Sequence, residues 1–287
     1  MKIHFLNVGK GNCTVIQFPN NRLAIVDIDN SHIDDENDVL TDPIEFLKSE
    51  YPNKDIFRFI LTHPDMDHMT GINELFNLRK VYNFWDTDNN KEIDTESVSF
   101  GPYNKEDWKK YIEIRKSQSE PKALKLLRNA TAECCWTEDN IQILSPSKEL
   151  VKLSREAAES SDKYNHISYV LRIEYKGIVI ILGGDATKAA WDDIYEHYNS
   201  TNQLDLLKAD ILLASHHGSP NNVNKEVFKH INPDYVVVSV LRGVNYDYSY
   251  YNTLANKQVY STKAFGNITL DIPAVGQAKI IPEKNGH

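Results

Sequence analysis

The chain has 287 residues, 41% hydrophobic and 25% charged, with a formal net charge of −9, which suits one large α/β domain or two small ones, long enough to bury a core, and argues against disorder. That acidic balance argues against binding long nucleic acid through whole-molecule charge, although a local patch or a bound metal overrides the sum. The three cysteines, Cys13, Cys134 and Cys135, make no closed disulfide set, and no run reaches the roughly 20 apolar residues of a membrane helix, so a reducing, cytoplasmic setting with no signal peptide and no membrane contact is expected.

In chain order, residues 2–8 and 13–18 read as a hairpin around Gly9-Lys10-Gly11-Asn12, and 22–28 as a third strand ending in Val26-Asp27-Ile28-Asp29. The acidic stretch 34–38 reads as a solvated loop. Thr41-Asp42-Pro43 reads as a capped helix start. Residues 55–60 have the aromatic and β-branched content of a buried strand, and 71–76 resume apolar residues at helical spacing. Between them lie His63, Asp65, Asp67 and His68. A strand-to-helix loop lets imidazoles and carboxylates converge on one point, and neutral His with anionic Asp is a donor set for zinc, manganese or iron.

Another strand is predicted at 80–85. From about 86 to 163 the pattern becomes charged and helical, with a strand signal only near 141–144, and reads as an insertion within a single domain spanning 1–287. Between Lys105 and Arg128 eight basic residues stand against four acidic ones, interleaved with Trp108 and Tyr111. That spacing suits a solvated amphipathic helix better than a phosphate-contacting one. Strands resume at 168–173 and 178–182, joined by Lys176-Gly177, and the second ends in Gly183-Gly184-Asp185. A helix over 188–197 precedes a short buried strand at 211–214, which ends in Ser215-His216-His217-Gly218-Ser219. A helix at 222–230, a strand at 235–241 and closing strands at 259–261 and 268–270 complete the pattern, which favours mixed sheets covered by helices over a purely parallel sheet.

Three strand ends therefore deliver metal donors: the 63–68 loop, Asp185 and His216. A bridging carboxylate such as Asp185 would serve two divalent ions, zinc or manganese, which together activate a water and clamp the oxygens of the transition state. His217 is open between orienting a ligand, donating a proton to the leaving group and a purely structural role. His4, His32, His197 and His230 read as surface or structural histidines. Tyr246, Tyr248 and Tyr250 would share one face if extended, either stacking on bases or packing against the insertion.

These motifs, in this order, resemble the metallo-β-lactamase fold superfamily over nearly the whole chain, and within it the ComEC-like metallohydrolase branch. Val8-Gly9-Lys10-Gly11-Asn12 is similar to the opening Val-Gly-Gln-Gly-Asp turn, His63-Pro64-Asp65-Met66-Asp67-His68 to the branch's form of the His-X-His-X-Asp-His signature, and His216-His217-Gly218-Ser219 to its His-His-Gly-Ser motif. Asn165 with Ser168 and Gly183-Gly184-Asp185 match further patterns, and Asp27 stands at the family's strand-end aspartate. The resemblance implies an αββα sandwich of two mixed β-sheets flanked by helices. It implies His63, Asp65, Asp67, His68, Asp185 and His216 as the ligands of two metal ions, with Asp67 also orienting the attacking water; beside them His217, read from the sequence itself, is a candidate second catalytic residue.

A further ligand falls near Asn165-His166, with neither residue singled out. Asn7, Lys10 and Asn12 depart from the family pattern, as does the stretch after Asn245-Tyr246, which points to a different substrate contact there. The expected activity is hydrolysis of a phosphodiester, nucleic acid first. The alternatives are a small phosphoester, cyclic nucleotide, lactam or thioester, and a non-catalytic module that binds a protein partner through the 86–163 insertion.

Overall fold

The computed structural model describes residues 1–33, 39–131, 136–160, 162–240 and 249–286. The acidic stretch 34–38, Cys134, Cys135, Tyr246 and Tyr248 lie outside them. No helix among the described residues is long and apolar enough to cross a membrane. The chain divides into two compact units, unit 1 from residues 1–125, 239–242 and 262–287, and unit 2 from 126–238 and 243–261.

The first strands are β1 (Lys2–Phe5), β2 (Thr14–Gln17), β3 (Leu23–Val26), β4 (Ile56–Ile60), β5 (Val81–Asp86) and β6 (Lys122–Lys125). Then follow β7 (Ile141–Ser145), β8 (Val170–Tyr175), β9 (Ile178–Leu182), β10 (Ile211–Leu213), β11 (Tyr235–Val238) and β12 (Gln258–Ser261), and finally β13 (Ile268–Asp271) and β14 (Lys279–Pro282). Unit 1 holds one eight-stranded sheet in the order β14-β13-β1-β2-β3-β4-β5-β6, and unit 2 a six-stranded sheet in the order β12-β11-β10-β9-β8-β7. Both are mixed. In unit 1 pairing is antiparallel from β14 to β3 and parallel from β3 to β6. In unit 2 it is parallel from β12 to β9 and antiparallel from β9 to β7.

The helices are α1 (Pro43–Glu50), α2 (Ile72–Leu78), α3 (Lys105–Ile114), α4 (Trp136–Asp139), α5 (Lys148–Glu156), α6 (Lys188–Ser200), α7 (Lys225–Ile231), α8 (Ser249–Leu254) and α9 (Thr262–Phe265). Their starts follow local chemistry: the Asp42, Asn104, Ser147 and Asn224 side chains each accept a hydrogen bond from a first-turn backbone N–H, satisfying donors the helix leaves open. The unit 1 core joins Val15, Ile25, Phe59 and Phe84 of the sheet to Ile44 and Leu47 of α1, Ile72 and Leu75 of α2 and Trp108 and Tyr111 of α3. Each such side chain contributes about 1.5–3 kcal/mol when fully buried.

Segment 86–163 differs from its sequence reading in content. The expected helix over 105–128 ends at Ile114, and 122–125 form β6, pairing with β5. Ser117-Gln118-Ser119-Glu120-Pro121 separates the two, since proline cannot continue a helix and biases the residue before it to extended geometry. Tyr250, expected on an extended face, lies in α8 with its ring 6.1 Å from Phe228 and 5.7 Å from Tyr251. His4 is a structural histidine, hydrogen-bonded to Thr269 and Tyr51, and burial pushes its imidazole down to about 4.

Candidate functional site

In unit 1 the register of three parallel strands sets the positions. Val26 pairs with Ile60, and Ile60 with Trp85, so Asp27, the 61–68 loop and Asp86 all emerge at adjacent carboxyl ends, where open α/β sheets bind their ligands. Asp27 takes positive φ and accepts from the Thr62 backbone N–H at 2.7 Å and the Thr62 hydroxyl at 2.7 Å. It also meets Nδ1 of His68 at 2.8 Å, and both side chains are buried. A carboxylate there holds the proton on Nδ1 and leaves the Nε2 lone pair of His68 as a donor. Asp27 is thus the orienting partner of a candidate ligand.

Thr62 does the same for His63. Its hydroxyl proton goes to Asp27, so its oxygen accepts from His63 Nδ1 at 3.1 Å, and the neutral ring keeps a lone pair on Nε2. That atom is buried, makes no hydrogen bond among the described residues and lies 3.4 Å from Oδ2 of Asp65. Two acceptor atoms at that spacing fit a shared cation: donors on bonds of about 2.1 Å in tetrahedral array stand about 3.4 Å apart. The His63 and His68 rings are 4.2 Å apart between centroids.

The two loop carboxylates each meet a lysine. Lys91 bonds Oδ1 of Asp65. Burial alone would raise the Asp65 carboxyl, but a protonated His63 ring and the Lys91 ammonium outweigh it and hold it well below the usual carboxylate range. Lys10 lies 3.4 Å from Oδ2 of Asp67 and donates to the Tyr103 hydroxyl at 3.0 Å. Burial opposes the charge on Lys10, yet Asp67 and Tyr103 hold its ammonium above its ordinary value. The opening turn presses on the same loop through Gly11, where an added Cβ would sit 1.9 Å from the Asp67 carbonyl oxygen and 2.5 Å from Asp29. Only glycine permits that approach. Asp29 accepts from the backbone N–H groups of Gly11 and Ser31, and burial pushes its carboxyl up to about 6, with the Asp67 charge adding to the rise.

In unit 2, Leu182 of β9 pairs with Leu213 of β10, which sets Gly183-Gly184-Asp185 beside Ala214-Ser215-His216-His217. An added Cβ at Gly183 would lie 2.4 Å from Ser215 Oγ and 2.8 Å from the Leu213 carbonyl oxygen. The Asp185 backbone N–H donates to Ser168 Oγ at 3.0 Å, and Trp191 Nε1 donates to Ser215 Oγ at 3.0 Å. His216 and His217 both occupy the left-handed region, with φ of 50° and 55°, a geometry costing about 1–3 kcal/mol per residue and concentrated at functional sites.

That turn sends the two histidines to different partners. His217 is buried with Nε2 3.5 Å from Oδ2 of Asp185. His216 accepts at Nδ1 from the Asn222 amide at 3.0 Å, so its neutral ring carries the proton on Nε2 and presents a donor rather than a lone pair. Sequence reading placed the ligand at His216; the structure turns His217 toward Asp185. His166 meets Thr187 Oγ1 at 2.7 Å through Nδ1, and Asn165 is buried with an Oδ1 that makes no hydrogen bond among the described residues. Sequence reasoning missed Lys91, Tyr103 and Asn222, single polar residues outside any motif.

No family model matches the sequence. The chain is 26% identical over 215 residues to ComE operon protein 3 of Bacillus subtilis (strain 168), a match covering 73% of this chain and 23% of that protein. The chain thus spans about a quarter of that relative's length. Among solved structures it is similar to the metallo-beta-lactamase fold protein YhfI from Bacillus subtilis, with a TM-score of 0.52 and 10% identity over 91% of this chain and 96% of that one. It is also similar to a diphosphatase from the PhnP family, with a TM-score of 0.53 and 11% identity over 95% of this chain and 98% of that one.

Proposed function

This chain has the metallo-β-lactamase fold, and on that premise we propose that it is a metal-dependent hydrolase of phosphoesters, acting on a phosphodiester and most specifically on nucleic acid. The observation that carries the reading is a close aspartate–histidine pair of candidate donors in both units: Asp65 with His63 at 3.4 Å and Asp185 with His217 at 3.5 Å. The donor chemistry fits divalent zinc or manganese. The family resemblance implies His63, Asp65, Asp67 and His68 with Asp185 and His216 as the residues that would hold two such ions; in unit 2 His217, 3.5 Å from Asp185, would take the place of His216. Bound there, the ions would supply Lewis acidity and a water of lowered pKa.

The remaining steps belong to side chains. Asp27 and Thr62 hold the two imidazoles in the tautomers that expose Nε2. Asp67 orients the attacking water and takes its proton. His216, with its proton on Nε2, is assigned a hydrogen bond to a substrate or leaving-group oxygen, while His217, whose role the sequence left open, takes the ligand role beside Asp185. Lys10, about half exposed beside Asp67, is a cation suited to an anionic phosphate oxygen, which favours a phosphoester over a neutral lactam or thioester. The name of the PhnP-family diphosphatase is in keeping with a phosphoryl substrate more broadly.

The test is hydrolysis of bis(4-nitrophenyl) phosphate and of single- and double-stranded nucleic acid with Mn²⁺ or Zn²⁺, by the wild type, Asp67→Asn and His63→Ala. Loss of cleavage by a hundredfold or more in both variants supports the reading. Unchanged cleavage ends it, and activity confined to the small ester moves the substrate away from nucleic acid.

A further inference from the structure

Lys91 lies outside every motif, yet the fold anchors it firmly. Its backbone N–H donates to Asn89 Oδ1 at 3.0 Å, and the Asn89 amide donates to Asp86 Oδ1 at 3.1 Å and to the Tyr111 hydroxyl at 2.9 Å. From the end of α3, Arg115 donates to the Asn89 carbonyl at 2.9 Å and reaches the Lys91 carbonyl at 3.5 Å, while standing 3.3 Å from Asp86. Asp86, Asn89 and Tyr111 are buried. The backbone that carries Lys91 is therefore tied at both carbonyls and at its amide before the side chain begins. A typical exposed lysine–carboxylate pair contributes little because two long chains must be ordered; here the Lys91 side chain is only 19% exposed.

The other end of the contact is equally specific. Lys91 bonds Oδ1 of Asp65, and Oδ2 of the same carboxylate is the atom 3.4 Å from His63 Nε2. We propose that Lys91 is a positioning residue for the metal centre, holding one oxygen of Asp65 so that the other stands beside His63 as a ligand. Partners of this kind orient a ligand and set its basicity, and their loss typically lowers metal affinity 10- to 100-fold. The inference rests on the reading that His63 and Asp65 are metal donors, and it assigns a task to α3 and the 86–91 segment, which brace the lysine.

The full chain, stripped of metal and titrated separately with Mn²⁺ and Zn²⁺ alone, separates the two claims. Lys91→Met is expected to bind about 10- to 100-fold more weakly than wild type, with the metal-free Tm unchanged. Lys91→Arg, which keeps a cation, should recover most of the affinity. In an Asp65→Asn background Lys91→Met should have no further effect. Lys91→Gln repeats the measurement should the methionine variant fold poorly. Unchanged or tighter binding in the Lys91 variants overturns the proposal, tighter binding meaning that the lysine competes with the ion for Asp65. An equal loss in the Asp65→Asn background overturns it as well. Wild type that binds no metal, or Asp65→Asn and His63→Ala that bind like wild type, instead overturns the underlying reading, and the proposal with it.

Discussion

In unit 1 the candidate donor side chains lean on other side chains: His68 on Asp27, His63 on Thr62, Asp65 on Lys91 and Asp67 on Lys10. In unit 2 the donors are set mainly by backbone, through two successive left-handed residues at His216 and His217 and the tight passage at Gly183. The first arrangement stores its precision in hydrogen bonds and charge, so it responds to pH and to single polar substitutions. The second stores it in dihedral angles, so it responds to glycine and to Cβ atoms.

The largest expected effect blurs this division, because unit 1 also has one backbone dependence. Gly11→Ala drives a Cβ into the carbonyl of Asp67, and overpacking against backbone should lower unfolding free energy by about 3 kcal/mol, measurable by urea denaturation. A loss under about 0.5 kcal/mol, the scale of an ordinary surface substitution, would show that the opening turn moves away freely.

Next comes pH. Burial pushes the Asp86 carboxyl up to about 6, with Arg115 and Tyr111 only partly opposing the rise. The folded state therefore holds a proton that the unfolded chain releases near its ordinary value of 3.8. The associated stability is complete below that value and is lost as pH rises through about 6. Wild type should lose up to about 3 kcal/mol relative to Asp86→Asn between pH 4 and pH 7. Parallel stability curves for the two proteins would contradict this.

Asp27→Asn sharpens the contrast at the site itself. The amide replaces a charged acceptor with a neutral one beside His68, and affinity for Mn²⁺ or Zn²⁺ should fall 10- to 100-fold in a chelator competition. Retained affinity would mean that His68 is oriented by packing alone.

The smallest effect belongs to unit 2. At position 216, glycine adopts φ of 50° without a side-chain penalty. His216→Gly should therefore unfold about 1 kcal/mol less readily than His216→Ala. Equal stabilities would show that the turn carries no strain.

Much of this was legible beforehand. The strand, donor loop and helix around His63 announce themselves because aromatic and β-branched residues, a cluster of His and Asp, and a return to helical spacing follow one another within about twenty positions. The two edge strands were not legible. Lys122-Ala123-Leu124-Lys125 is short, charged and only half-buried, and β14 is short, half-exposed and ends in proline, so neither shows the alternation that marks a strand with one buried face. Which of His216 and His217 faces Asp185 was also hidden, because strand alternation says nothing once both residues leave the strand for left-handed geometry. Lys91 carried no signal, since its role depends on a network that α3 closes from some twenty residues downstream.

The pairing of β1 with β13, Lys2 with Asp271 at one end and Phe5 with Ile268 at the other, bears on how the chain is made. At roughly 5–20 residues per second, the ribosome needs roughly 7 to 30 s to travel from the end of β6 to β13. Throughout that interval the donor loop already exists while β1 waits with one edge unpaired, a surface open to strand addition by another chain. Nascent protein is thus most prone to aggregate after its chemistry-bearing half has emerged and before its sheet closes. A chaperone that binds extended segments would act in that window.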